Sequence, residues 1–126
     1  MKPDTVLQDF SQALNQFRDA LTIPAHHDVI RAGCIQFFEF AFELAWKSVK
    51  AVAEDASLDP GGSPKSCIKT AFAQEWINDE RVWLERLDSR NRMSHTCDAK
   101  EALSIYEKLN AYIEPFAELL PSMEKQ

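Results

Sequence analysis

The amino-acid sequence predicts an all-α fold, and two observations carry that expectation. Ala, Leu, Glu and Lys are plentiful, while only three glycines and few β-branched residues appear, a mixture that favours helix over strand. Apolar residues also recur every three or four positions, the spacing that gathers them on one side of a helix. At 126 residues, the chain reads as one domain spanning 1–126, with enough length to bury one core.

Five helices can be placed in order. The first starts near Thr5, which with Gln8 forms a capping box, and its stripe is Leu7, Phe10, Leu14, Phe17 and Leu21 before Pro24 closes it. Asp28 can cap the second, which runs to about Asp55. Its apolar residues, among them Ile30, Cys34, Phe37, Phe38, Phe40, Phe42, Leu44, Trp46, Val49 and Val52, cover most of the circumference. Glu39, Glu43, Lys47 and Lys50 leave only a narrow polar line, with Glu43 and Lys47 ordered for an i,i+4 pair. Such a helix must be central or must bury one side against a second subunit, and a dimer contact through it is expected.

Asp59-Pro60-Gly61-Gly62 is a turn, and Ser63-Pro64 gives an N-cap followed by proline at the first helical position. The third helix should carry Ile68, Ala71, Phe72 and Trp76 inward. Asn78 or Asp79 restarts the chain, and the fourth helix presents Trp83, Leu84 and Leu87. The fifth begins at Asp98, with Glu101 completing a capping box, and repeats Ala102, Ile105, Leu109, Tyr112, Ile113, Phe116 and Leu120. Pro115 should kink its last part. No repeat, low-complexity segment or interdomain linker is evident.

Hydrophobic residues make up 45% of the chain and charged residues 27%, a globular rather than a disordered balance. Fourteen basic against twenty acidic residues leave a net charge of −6. That balance is unlike a general nucleic-acid coat protein, so any RNA contact must be local. Cys34, Cys67 and Cys97 are widely spaced with no CxxC pair, which argues against a disulfide framework or a zinc site and fits a reducing compartment. The first residues, Met-Lys-Pro-Asp, lack the apolar stretch of a signal peptide, and no run approaches a membrane span. A cytoplasmic protein with no membrane contact is expected.

Between Leu87 and Asp98, the polar run Asp88-Ser89-Arg90-Asn91-Arg92-Met93-Ser94-His95-Thr96-Cys97 breaks the apolar rhythm. Five residues separate Arg90 from His95, about 140° on a straight helix, so they share a cleft only if the helix ends between them. The cap at Asp98 suggests that it does. Arginine offers a fork of donors to phosphate, and histidine, with an unperturbed pKa near 6.5, can give and take a proton. Together they suit metal-free cleavage of RNA, in which a 2′-hydroxyl attacks its own phosphate. Asn91 and Ser94 could orient either group. The competing reading is a polar interhelical turn, with Arg90 paired to Asp88 or Glu85 and His95 on helix-end carbonyls.

Phe38-Glu39-Phe40-Ala41-Phe42-Glu43-Leu44-Ala45-Trp46-Lys47, then Ser63-Pro64-Lys65, Ala71-Phe72, Trp83-Leu84 and Arg90-Asn91-x-x-Ser94-His95-Thr96 occur in one order. Over roughly Thr5 to Leu120, this set resembles the HEPN family, in its branch of nucleotidyltransferase substrate-binding proteins, the HepT-like partners of minimal nucleotidyltransferases. The resemblance implies an up-and-down bundle of about five helices around a four-helix core, forming a homodimer with the Arg and His lining a cleft at the interface. It implies a small separate nucleotidyltransferase as partner, RNA or nucleotide as ligand, and no cofactor or metal.

In several family members the bundle is a metal-independent ribonuclease toxin that the nucleotidyltransferase neutralises. Carried over, Arg90 binds the scissile phosphate, His95 is general acid or base, and Asn91 and Ser94 support them. One departure stands out. The family commonly has a tyrosine two residues after the histidine, the group the partner modifies with AMP, and this chain has Cys97 there. Inhibition by binding alone, or a role without toxicity, then gains ground. The alternative function is a non-catalytic subunit that completes a nucleotidyltransferase active site by binding its nucleotide or substrate.

Other features favour plainer roles. Adjacent His26 and His27 diverge by about 100° on a helix and lack further ligands at metal spacing. Glu39 and Glu43 could be paired catalytic carboxylates, but Lys47 and Lys50 continue their stripe, as in a salt-bridge seam. Arg81, Arg86, Arg90 and Arg92 alternate with Asp79, Glu80, Glu85 and Asp88, which fits intrahelical pairing as well as an RNA track. No P-loop, dinucleotide fingerprint or nucleotidyltransferase aspartate pair is present, so the chain is not itself the transferase.

Overall fold

A computed structural model describes residues 3–93 and 99–126. The described residues form five helices and no strand: α1 (Pro3–Leu21), α2 (Asp28–Asp55), α3 (Pro64–Ala73), α4 (Glu80–Met93) and α5 (Ala99–Glu124). Short connections join successive helices into the expected all-α bundle. α1, α2 and α5 pack on one another, α3 leans on α2, and α4 bridges α3 and α5. Asp98, expected as the cap of α5, lies outside the described residues.

Aromatic rings fill the centre. Phe10 and Phe17 of α1, Phe38 and Phe42 of α2, and Phe116 of α5 are fully buried. Phe10 meets Phe116 edge-on at 6.0 Å, Phe38 lies 5.2 Å from Tyr112, and Trp83 of α4 lies 5.3 Å from Phe116. Each such ring removes enough apolar surface from water to stabilise the fold by roughly 2–3 kcal/mol. The small residues Ala41, Ala45 and Ser48 let α1 approach α2 closely, and the Ser48 hydroxyl donates to the Val6 carbonyl at 3.4 Å. That bond satisfies a hydroxyl with no exposure to solvent.

Several local expectations shift. α1 starts at Pro3 rather than Thr5, because proline needs no hydrogen-bonded N–H in a first turn. His27, extended at φ −132°, is the N-cap of α2. Asp28 is the first helical residue, its carboxylate drawn to Arg31 at 2.9 Å while Arg31 also donates to the Ala25 carbonyl. The cap at Ser63 holds: its hydroxyl accepts from the Ser66 N–H, and the Ser66 hydroxyl accepts from the Ser63 N–H. Phe72 is 44% exposed, since Ile68 and Ala71 take the inner face of a ten-residue helix and the next position turns away. Trp76 is buried but beyond α3. Glu75 adopts φ 62° and the Trp76 N–H bonds back to the Ala71 carbonyl at 2.9 Å, which throws the indole inward.

α2 buries Cys34, Phe38, Ala41, Phe42, Ala45, Ser48, Val49 and Val52 inside the chain. Phe40 and Val29 stay exposed on its outer face. No helix of the described residues is long and apolar enough to cross a membrane.

Candidate functional site

The last two turns of α4 set the site. The Asp79 carboxylate accepts from the Val82 N–H at 3.2 Å and starts the helix. Arg86 and Ser89 turn towards α5. The Arg86 guanidinium donates to the Val82 carbonyl at 2.8 Å and to the Ala111 carbonyl of α5 at 3.0 Å. Ser89 shares a 3.0 Å hydrogen bond with the Tyr112 hydroxyl. These contacts fix the rotation of α4 about its axis, and Arg90 follows from that rotation. Arg90 and Arg92 both fall in the last turn, where the helix dipole favours positive charge.

Arg90 is half-buried and reaches across to α2. Its Nη2 lies 3.4 Å from Glu43 Oε2, and its Nη1 lies 3.4 Å from Asn91 Oδ1. Glu43 is itself held from three directions, since Trp46 Nε1 donates to Oε2 at 3.0 Å and Lys47 Nζ sits 3.1 Å from Oε1. Burial pushes the Glu43 carboxyl up, but the hydrogen bonds from Trp46 and Lys47 and the charges of Lys47 and Arg90 outweigh it and leave the group below its ordinary range. Glu39, one turn earlier, is pushed above its ordinary value by burial, against a smaller pull from the Arg90 charge. Arg90 therefore stands among carboxylates as a guanidinium oriented from behind.

Arg92 behaves differently. It pairs with Asp88 at 3.1 Å and reaches Glu101 of α5 at 3.7 Å, so its charge is shared with carboxylates at the end of α4. Of the residues expected to carry chemistry, Arg90 and Asn91 are brought together. Ser94, His95 and Cys97 lie outside the described residues. The seam expected for α2 exists as the Glu43–Lys47 pair. What sequence reasoning missed is that this seam faces the Arg90 side chain. The signal was present in the four-residue spacing of Glu43 and Lys47, but nothing along the chain says which helix that line faces.

Among the described residues, no three His, Cys, Asp or Glu side chains gather as a metal site, and His26 and His27 are exposed between α1 and α2. The free thiols of Cys34 and Cys67 are buried. Arg90 presents a forked cation, a group whose geometry suits hydrogen bonds to an anion.

The chain is thus a helical bundle whose half-exposed arginine is oriented by a neighbouring helix. Residues 5–125 match the family model for nucleotidyltransferase substrate binding protein-like proteins, and the chain belongs to that family. A Haemophilus influenzae protein described as "Probable ribonuclease HepT" is 31% identical over 103 residues, covering 79% of this chain and 70% of the relative. A solved structure from Thermus thermophilus superposes with a TM-score of 0.82 at 28% identity, covering 90% of this chain and 98% of the other. A second, from Haemophilus influenzae and described as the fold of a substrate-binding domain of a nucleotidyltransferase, gives 0.69 at 28% identity over 97% and 96%.

Proposed function

We propose that this chain is a metal-independent ribonuclease, the helical toxin partner of a separate nucleotidyltransferase, acting through Arg90 and His95. The observation that supports it is the half-exposed Arg90 guanidinium on the last turn of α4, backed by Glu43 and standing five residues before His95. The likeness to a protein described as a ribonuclease points the same way. In this reading Arg90 binds the phosphate and stabilises the charge that builds on it. The RNA 2′-oxygen attacks phosphorus as its proton passes to a base, and the bond to the 5′-oxygen breaks as that oxygen takes up a proton. The products are a 2′,3′-cyclic phosphate and a free 5′-hydroxyl. His95 serves as general acid or base, and Asn91 and Ser94 orient the pair.

Two copies form a homodimer through α2, where Val29 is exposed, and both contribute their motif to a cleft. The protein works in the cytoplasm, beside its RNA. With Cys97 where the family's modifiable tyrosine stands, the nucleotidyltransferase restrains it by binding.

Cleavage of total RNA by the purified chain, followed on denaturing gels without the partner, tests this reading. His95→Ala is expected to lower the rate by roughly 10²–10⁴ and to relieve growth inhibition. A wild-type protein that cleaves no RNA contradicts it. The second reading, a non-catalytic subunit that completes a nucleotidyltransferase pocket, is favoured by the solved relative described as a substrate-binding domain. It requires tight association with a separate nucleotidyltransferase, and calorimetry showing none would remove it.

A further inference from the structure

Beside the Arg90 site, a groove of about 360 Å³ opens between α1 and α2. Asp9, Gln12 and Gln16 supply one wall, with the small Ala13 as floor. Phe40, Glu43 and Leu44 supply the other. The α1 residues follow the i, i+3, i+4, i+7 rule and so share one helix face. Among the described residues, the Asp9 carboxylate and the Gln12 and Gln16 amides make no hydrogen bond, whereas Glu43 is engaged by Trp46, Lys47 and Arg90. Phe40 is 47% exposed at the rim.

We propose that this groove is a subsite for a guanine base of single-stranded RNA, read by the Asp9 carboxylate and stacked on Phe40. The inference rests on the ribonuclease reading above. Single-stranded bases are recognised by aromatic stacking and by hydrogen bonds to their Watson–Crick edges. An ionised carboxylate only accepts hydrogen bonds. Guanine presents two adjacent donors on that edge, N1–H and the N2 amino group, which one carboxylate takes as a pair. Adenine and cytosine offer an amino donor beside an acceptor, and uracil a single imino donor between two carbonyls that a carboxylate repels. The Gln12 and Gln16 amides supply N–H donors for guanine O6 and N7.

Charge supports the same assignment. A phosphate would be repelled by Asp9 and Glu43, but a neutral base is not, so the groove takes the base and Arg90 takes the phosphate. Glu43 joins the two, since it walls the groove and its Oε2 lies 3.4 Å from the guanidinium.

The test titrates guanosine, adenosine, cytidine and uridine 3′-monophosphates into the purified full-length chain by calorimetry and maps cleavage positions in an RNA containing all four bases. The guanosine nucleotide should bind about tenfold or more tightly than the uridine one, with cuts clustered beside guanine. Asp9→Asn should erase the discrimination. Phe40→Ala should weaken all four nucleotides, and Phe40→Tyr should restore them. Equal binding of the four, or discrimination that survives Asp9→Asn, overturns the subsite. So does a wild-type chain that binds no guanosine nucleotide while Phe40→Ala shifts the oligomeric state, which would assign the groove to a second copy. RNA cleavage without base preference rejects the subsite and leaves the ribonuclease; guanosine-selective binding without cleavage rejects the ribonuclease and leaves the subsite.

Discussion

Arg86 is only 2% exposed, with its guanidinium 4.4 Å from the centre of the Tyr112 ring. Its Nε finds no hydrogen-bond partner among the described residues. Burial lowers its pKa to about 10, against weaker opposing pulls from Tyr112, Glu85 and Asp79, so it stays charged at neutral pH. What holds it is shape: a planar fork that bonds two carbonyls while stacking on a ring. Lysine keeps the charge but has neither the fork nor the plane. Arg86→Lys is therefore expected to cost about 2 kcal/mol in urea unfolding, and an unchanged midpoint would contradict this account.

Glu39 offers a second test at the same scale. Its carboxyl is raised above its ordinary value of 4.5, mainly by burial. A raised acid pKa means the folded state binds more protons than the unfolded one between the two pKa values, so the ionised group costs stability at neutral pH. That cost fades as pH falls through the raised value and is gone below the unfolded one. Glu39→Gln should raise the melting temperature at pH 7 and leave it unchanged near pH 3.5. A gain of equal size at both values would show that ionisation is not the cause.

Among the elements, the α2–α3 connection places the most on one residue. Gly61 adopts φ +74°, and a Cβ there would lie 2.5 Å from Ser66 Oγ, the hydroxyl that completes the Ser63 cap of α3. Gly61→Ala thus adds a left-handed alanine and disturbs a cap. A loss of roughly 1–3 kcal/mol is expected in thermal or urea unfolding, and a neutral result would mean the turn relaxes freely. In the proposed function α4 matters most, because its contacts to α5 through Arg86 and Ser89 set the direction in which Arg90 points.

The whole molecule carries a charge of −6, so its field opposes the approach of RNA, and the proposed RNA binding must come from a few local cations. For the proposed dimer, two Arg90 side chains are the phosphate contacts. At about −0.7 per contact for single strands, the logarithm of affinity should fall with the logarithm of salt concentration at a slope near −1.4. Filter binding across a salt series measures it. A slope of about −4 or steeper would reveal a basic track that the interleaved acids of α4 give no reason to expect.

Much was legible along the chain because it is written in local rules. Helical period located all five elements, Ser63-Pro64 marked the start of α3, and the bounds of α2 follow from its long apolar run between a turn and Asp59-Pro60. The same rules put Trp76 inside, though on a helix that ends before it, and placed Phe72 wrongly, since which side of a short helix is covered depends on neighbours distant in sequence. The motif around Arg90 was visible as residue types. Its pairing with Glu43 was not, because 47 residues separate them and only the folded arrangement, in which Arg90 reaches across to α2, closes that distance. Periodicity is a property of consecutive residues and survives in one dimension. The direction of a guanidinium depends on the rotation of a whole helix, which buried contacts such as those of Arg86 and Tyr112 decide only after folding.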